Sequence, residues 1–129
     1  MSSIENHRIL VVDDAIEVAV FFTRALERGD FAVSYATDGK EGLKLYAQAR
    51  DEGQPFTLLI LDWAMPSMTG LEVARTLRDQ GDNVKIVFLT AYYENVTPDK
   101  PAEVGAEVWG KPIELEDLTC NVRRILEIA

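Results

Sequence analysis

Three short runs of bulky apolar residues constrain this chain most: Ile9-Leu10-Val11-Val12, Leu58-Leu59-Ile60-Leu61 and Ile86-Val87-Phe88-Leu89. Each is apolar at every position and bounded by polar residues. Each therefore predicts a strand covered on both faces rather than one with a wet side. Residues 31–36 instead alternate large and small, with Phe31, Val33 and Tyr35 set against Ala32, Ser34 and Ala36, which predicts a strand nearer a sheet edge. A weaker fifth run is Glu107-Val108-Trp109.

Between the runs the apolar spacing turns helical: Val18, Phe22 and Ala25 or Leu26; Leu43, Tyr46 and Ala47; Leu71, Ala74 and Leu77; Leu115, Leu118, Val122 and Ile125. Gly29 and Gly81 fall just beyond two of these segments, where a left-handed residue commonly ends a helix. Strand and helix alternate five times. Right-handed crossovers then dictate a mostly parallel sheet with helices on both faces, a doubly wound α/β domain. The fourth helix, between residues 92 and 105, is expected to be short, shifted or mobile, because Pro98 and Pro101 do not both fit comfortably in one first turn.

At 129 residues the chain has room for one core, and a single domain over residues 1–129 is expected. Apolar residues at 47% and charged residues at 27% are ordinary for a soluble globular protein. A net charge of −9 repels nucleic-acid phosphate and anionic lipid, so direct binding to either is not expected. No apolar run approaches the roughly 20 residues of a membrane span, and the polar N-terminus does not read as a signal peptide. Cys120 is the sole cysteine, which excludes an internal disulfide, fits a cytoplasmic setting and predicts a small buried thiol. His7 has no cysteine or carboxylate at ligand spacing and is expected to be a solvated terminal residue. Glu114, Glu116, Asp117 and Glu127 are expected to form a solvated helix face partnered by Arg123 and Arg124.

Ligands of open α/β sheets bind beyond the carboxyl ends of the strands, so the residues just after each apolar run carry the functional information. Asp13 and Asp14 follow the first, Asp62 the third, Thr90 the fourth, and Lys111-Pro112 the fifth. Aspartate is common in solvated turns, but at two strand ends, sharing a rim with Thr90 and Lys111, it points to a site. Two carboxylates about 5 Å apart at an effective dielectric near 20 repel by roughly 3 kcal/mol, and three sharing a pocket call for a cation. All-oxygen donors suit Mg²⁺ or Mn²⁺ better than zinc. A strand-end carboxylate can form an acyl phosphate. Asp62 is the one best placed to face both metal and Lys111, with Thr90 available to a phosphoryl oxygen.

Val11-Val12-Asp13-Asp14, the stretch from Asp62-Trp63-Ala64-Met65-Pro66 through Ser67-Met68-Thr69-Gly70, Thr90-Ala91 and Lys111-Pro112 resemble the four signature blocks of response-regulator receiver domains, in order and at near-family spacing. The resemblance covers essentially the whole chain. It implies a flavodoxin-like five-stranded sheet of order 2-1-3-4-5 and Mg²⁺-dependent phosphorylation of Asp62 by a histidine kinase or phosphotransfer protein. It further implies metal ligation by Asp13 or Asp14, Asp62 and the Ala64 carbonyl, with Asp14 the usual direct ligand. Thr90 and Lys111 would bind the phosphoryl group, and Met65-Pro66 and Gly70 would shape the pocket. Such a domain is a phosphoacceptor that catalyses only its own phosphorylation and dephosphorylation. Its downstream partner is a protein that the sequence does not identify, and dimerisation is left open.

The family's usual switch aromatic, three residues before the lysine, is replaced here by Val108, and Trp109 lies one residue further on. The segment from Gly105 to Lys111 is one residue shorter than the common pattern. Trp109 either takes the switch role after a local shift or packs on the sheet edge, and residues 92–110 are expected to form a nonstandard output surface. Ala64 and Tyr92, at the positions that influence acyl-phosphate lifetime, offer no group to position water, so slow self-dephosphorylation is expected. A metal-dependent phosphohydrolase with an aspartate nucleophile is the enzymatic rival. It fits poorly, because such enzymes carry a second carboxylate two residues on, where Ala64 stands. A receiver acting purely as a docking module is the third reading.

Overall fold

The structure, a computed structural model, describes residues 7–91 and 93–128. Strands and helices alternate as β1 (Arg8–Val12), α1 (Ile16–Glu27), β2 (Ala32–Ala36), α2 (Gly39–Asp51), β3 (Leu58–Asp62), α3 (Gly70–Asp79), β4 (Lys85–Thr90), α4 (Asp99–Glu103), β5 (Glu107–Gly110) and α5 (Leu115–Ile125). All strand pairings are parallel, in the order β2-β1-β3-β4-β5. This is the doubly wound α/β fold of the flavodoxin type expected from the sequence.

The three uniformly apolar runs occupy the sheet interior, where strand alternation sends neighbouring side chains to opposite layers. Ile9, Val11, Leu58, Ile60, Val87 and Leu89 meet Phe22 and Leu26 of α1 and Leu118 and Val122 of α5. Leu10, Val12, Leu59, Leu61, Ile86 and Phe88 meet Tyr46 of α2 and Val73, Ala74 and Leu77 of α3. Burying each large side chain contributes roughly 1.5–3 kcal/mol, which fixes the register of the central strands and hence where each one ends.

Local chemistry sets the helix starts. The Asp38 carboxylate accepts the Glu41 amide at 2.7 Å at the head of α2. At the head of α3, Thr69 and Glu72 form a reciprocal capping box. Arg78 ties α3 to the neighbouring connections, donating to the backbone carbonyls of Val104 and Asp82.

Several expectations are corrected. Gly81 is left-handed, at φ +79°, but Gly29 is not; Asp30 takes that conformation at φ +70°. Gly29 is instead hemmed in by α5, where a Cβ would fall 2.8 Å from Thr119 Cγ2. β2 does lie at the sheet edge, as its alternation implies, with Tyr35 exposed and Ala36 buried in the α2 layer. Cys120 is exposed on α5, two residues from each of the buried Leu118 and Val122 and so on the opposite side of the helix. His7 is buried, with Nδ1 2.9 Å from Thr57 Oγ1 and Nε2 unpartnered. Burial lowers its pKa. Arg124 pairs with Glu107 of β5 at 2.8 Å, while Glu114, Glu116, Asp117 and Glu127 are exposed.

The fourth helix is short, a single α-helical stretch over Asp99–Glu103 preceded by a 3-10 turn over Tyr93–Asn95. Its two prolines are better accommodated than the sequence suggests. Pro98 is the N-cap and Pro101 the third helical residue. Neither position has an amide that an intrahelical carbonyl would accept, so both rings are tolerated.

Candidate functional site

Five side chains converge at the carboxyl ends of β1, β3, β4 and β5. The β1–β2 ladder runs one bond past β1, with the Asp13 amide donating to the Ala36 carbonyl at 3.1 Å. This leaves Asp13 nearly fully buried at the mouth of the sheet. Its Oδ1 accepts the Ala15 amide at 3.0 Å, which fixes the side chain against the start of α1. Asp14, next along, is exposed. Asp62 closes β3 opposite Leu89, and Thr90, buried, closes β4 opposite Gly110. The Lys111 amide donates to the Thr90 carbonyl at 2.7 Å, which brings the lysine back over the rim.

Carboxylate oxygens of Asp13, Asp14 and Asp62 all lie within 4.8 Å of one another. Lys111 Nζ stands 2.8 Å from Asp13 Oδ2 and 3.6 Å from Asp62 Oδ1, so one ammonium serves two of three anions. That leaves excess negative charge in a half-buried site. Burial, then the Asp13 charge, push the Asp62 carboxyl up to about 7 against the opposing pull of Lys111, and a hydrogen bond with Asp14 adds to the rise.

The sign of this shift makes a prediction. A carboxyl raised above its ordinary range favours the folded state when protonated. Its contribution is complete below about pH 4 and is lost as pH climbs towards 7. With a chelator present, Asp62→Asn is expected to exceed wild type in stability by on the order of 2–4 kcal/mol at pH 8, converging below pH 4. Added Mg²⁺ should narrow the gap. Parallel urea-unfolding profiles across pH would refute it.

The loop after Asp62 is shaped by close approaches. Trp63 donates its amide to the Leu89 carbonyl at 3.3 Å and lays its ring edge-on against Phe88, with centroids 4.9 Å apart. Gly70 has room for no side chain, since a Cβ would stand 2.3 Å from the Asp62 carbonyl oxygen. Ser67 adopts φ +69°, and Met65 is buried beneath the loop. Ala64 is exposed two residues past Asp62, whereas Tyr92 lies outside the described residues. Trp109 is buried in the α1–α5 layer, its Nε1 donating to Glu107 Oε1 at 3.2 Å, which is the sheet-edge packing role.

The sequence did not point to the face beside this rim. Ile16 and Phe21 of α1 are half exposed, and Leu115 of α5 stands near them. A cavity of about 420 Å³ lined by Phe21, Phe22, Ala91, Lys111, Pro112 and Ile113 joins this patch to the lysine. The Phe21-Phe22 doublet was the available signal, since one helix face cannot bury both rings.

A flavodoxin-type sheet with an acidic rim and a single reaching lysine defines a recognisable class. The family described as the response regulator receiver domain matches residues 9–123. The chain belongs to that family, the receiver module of two-component signalling. It is 32% identical over 120 residues to the response regulator receiver protein CpdR of Brucella abortus, covering 92% of this chain and 96% of that protein. It is 38% identical to the response regulator MprA of Mycolicibacterium vanbaalenii, of which it spans half the length. Among solved structures, the chemotaxis response regulator CheY4 of Vibrio cholerae superposes with a TM-score of 0.80 at 30% identity, covering 92% of this chain and 98% of that one. The response regulator TrrA of Thermotoga maritima, in complex with Mg²⁺-BeF, gives 0.77 at 28% identity over the same shares.

Proposed function

We infer that this receiver accepts a phosphoryl group on Asp62 from a phosphohistidine of a histidine kinase or phosphotransfer protein, and that its output is read by a further protein. The observation that carries this reading is the gathering of Asp13, Asp14 and Asp62 within 4.8 Å, with Lys111 reaching two of them. The donor set fits a hard divalent cation, because three carboxylates meet without a thiolate or imidazole among them. Asp14, Asp62, Asp13 and the Ala64 backbone carbonyl would hold Mg²⁺ or Mn²⁺. When bound, the cation supplies neutralisation of charge on the phosphoryl oxygens. TrrA, solved with Mg²⁺-BeF, supports this choice.

The chain's own residues do the rest. An Asp62 carboxylate oxygen forms the new O–P bond as the donor's P–N bond breaks, and the electron pair returns to the imidazole nitrogen, which takes up a proton. Lys111 pairs with a phosphoryl oxygen, exchanging part of its contact with Asp13 for one with the incoming group. The Thr90 hydroxyl donates to another oxygen.

Intact-mass measurement after incubation with acetyl phosphate and Mg²⁺ is expected to show one acid-stable, base-labile phosphoryl group per chain. Turnover of many equivalents of a phosphomonoester would favour a phosphohydrolase, and no adduct at all would favour a docking module. Either result overturns the reading.

The apolar face of α1 supports a protein donor, since Phe21 stands exposed at the edge of the cavity that Lys111 lines. Exposed aromatic anchors commonly carry 2 kcal/mol or more of binding, roughly a 30-fold effect. Phe21→Ala is therefore expected to slow transfer from a phosphorylated histidine phosphotransfer protein about 10- to 30-fold and to leave acetyl phosphate labelling within about twofold. Equal slowing with both donors would show that the ring supports the fold rather than the encounter.

A further inference from the structure

We propose that the outer face of α1 is a self-complementary interface, through which two copies of this chain pair antiparallel about a twofold axis beside Phe21. The pairing depends neither on phosphorylation nor on which residue accepts it.

Five large hydrophobic side chains are exposed among the described residues: Ile16, Phe21, Tyr35, Tyr93 and Leu115. The three without a hydroxyl, Ile16, Phe21 and Leu115, border one groove of about 600 Å³ along the outer side of α1. Phe21 is 58% exposed, and its ring sits edge-on against the buried Phe22 with centroids 5.4 Å apart. It therefore projects in a supported position, and a ring already held in place loses little freedom when a partner covers it.

The charges of the same groove identify the partner. Glu17 lies towards its amino end and Arg24 and Arg28 towards its carboxyl end, all three exposed. They share one helical stripe with Phe21, at successive spacings of four, three and four residues. Among the described residues, none of the three enters an ion pair. Arg24 and Arg28 are moreover like charges one turn apart, an arrangement that disfavours a helix standing alone.

A surface that is acidic at one end, apolar in the middle and basic at the other is complementary to its own image turned end for end. With the axis beside Phe21, Glu17 of each copy faces Arg24 and Arg28 of the other, and the two Phe21 rings meet at the centre. A parallel pairing would oppose Glu17 to Glu17 and arginine to arginine. A partner carrying charge of one sign would satisfy only half of the groove. The patch is small and each chain carries a net charge of −9, so the dimer is a weak one. A copy engaged in it withholds Phe21 from a phosphodonor, a consequence that alone rests on the donor reading given above.

The test is sedimentation of the whole unphosphorylated chain at physiological salt, which screens the overall repulsion. A reversible passage from monomer to dimer is expected, with half-association on the order of 100 µM. Glu17→Arg, and separately Arg24→Glu combined with Arg28→Glu, are each expected to keep the wild-type urea midpoint and to weaken association at least about tenfold. Mixed in equal amounts, these two variants are expected to recover association, because one then carries only positive and the other only negative charge along the groove. Wild-type association in either variant alone, or a mixture that stays monomeric, would overturn the proposal. So would a wild-type chain that stays monomeric to about 1 mM, and if its binding to a phosphorylated histidine phosphotransfer protein falls on Phe21→Ala, the face belongs to the donor alone.

Discussion

Asp62→Asn is expected to reduce incorporation of phosphate from acetyl phosphate to background, while folding at least as stably as wild type. The amide keeps the shape of the carboxyl but has no anionic oxygen to form the O–P bond, and no other group inherits the task. Asp13 has one oxygen bound by the Ala15 amide and the other by Lys111, and it is nearly fully buried. Asp14 stands in solvent at the edge. The loss should exceed the roughly 10²–10³-fold expected of removing a single stabilising donor. Intact mass and chemical quench of the labelled protein decide the matter. A variant still labelled within tenfold of the wild-type rate would place the nucleophile elsewhere in the acidic cluster.

The second large effect belongs to a residue with no side chain. Gly70→Ala would put a Cβ 2.3 Å from the Asp62 backbone oxygen, far inside contact distance and against an atom with no rotamer to escape through. The strand end or the start of α3 must move. Overpacking of this kind costs about 3 kcal/mol or more. The displaced atom belongs to the residue proposed to carry the phosphate, so acceptance from acetyl phosphate should fall along with urea stability. The capping box of Thr69 and Glu72 holds the helix start in place and denies it an easy shift. A variant that unfolds at the wild-type urea concentration and is labelled at the wild-type rate would show that the loop yields freely.

The central architecture was legible because Ile9–Val12, Leu58–Leu61 and Ile86–Leu89 leave no polar position for a wet face. The rim residues were legible because each follows such a run directly. What escaped was set by packing between distant segments, which no local pattern encodes. His7 is buried by contact with Thr57, fifty positions away. Pro98 and Pro101 read as a conflict because helix boundaries are not visible in composition. A shift of one residue puts both rings among the amides a helix leaves unused. Trp109 could be read as a switch or as a sheet-edge residue from its position alone, and the alternation of β5 turned it inward.

The contact between Lys111 and Asp13 joins residues 98 positions apart. During synthesis the three carboxylates leave the ribosome long before the one cation that compensates them. The first four strands can collapse around their apolar faces while the rim is still an unbalanced anion. Only when β5 docks on β4 does the lysine arrive, so a pairing that spans most of the sequence is also the one that balances the charge of the rim. On the proposed reading, a nascent chain that has gathered its core still lacks the cation that would meet a phosphoryl group, and competence to receive one would mark the end of folding.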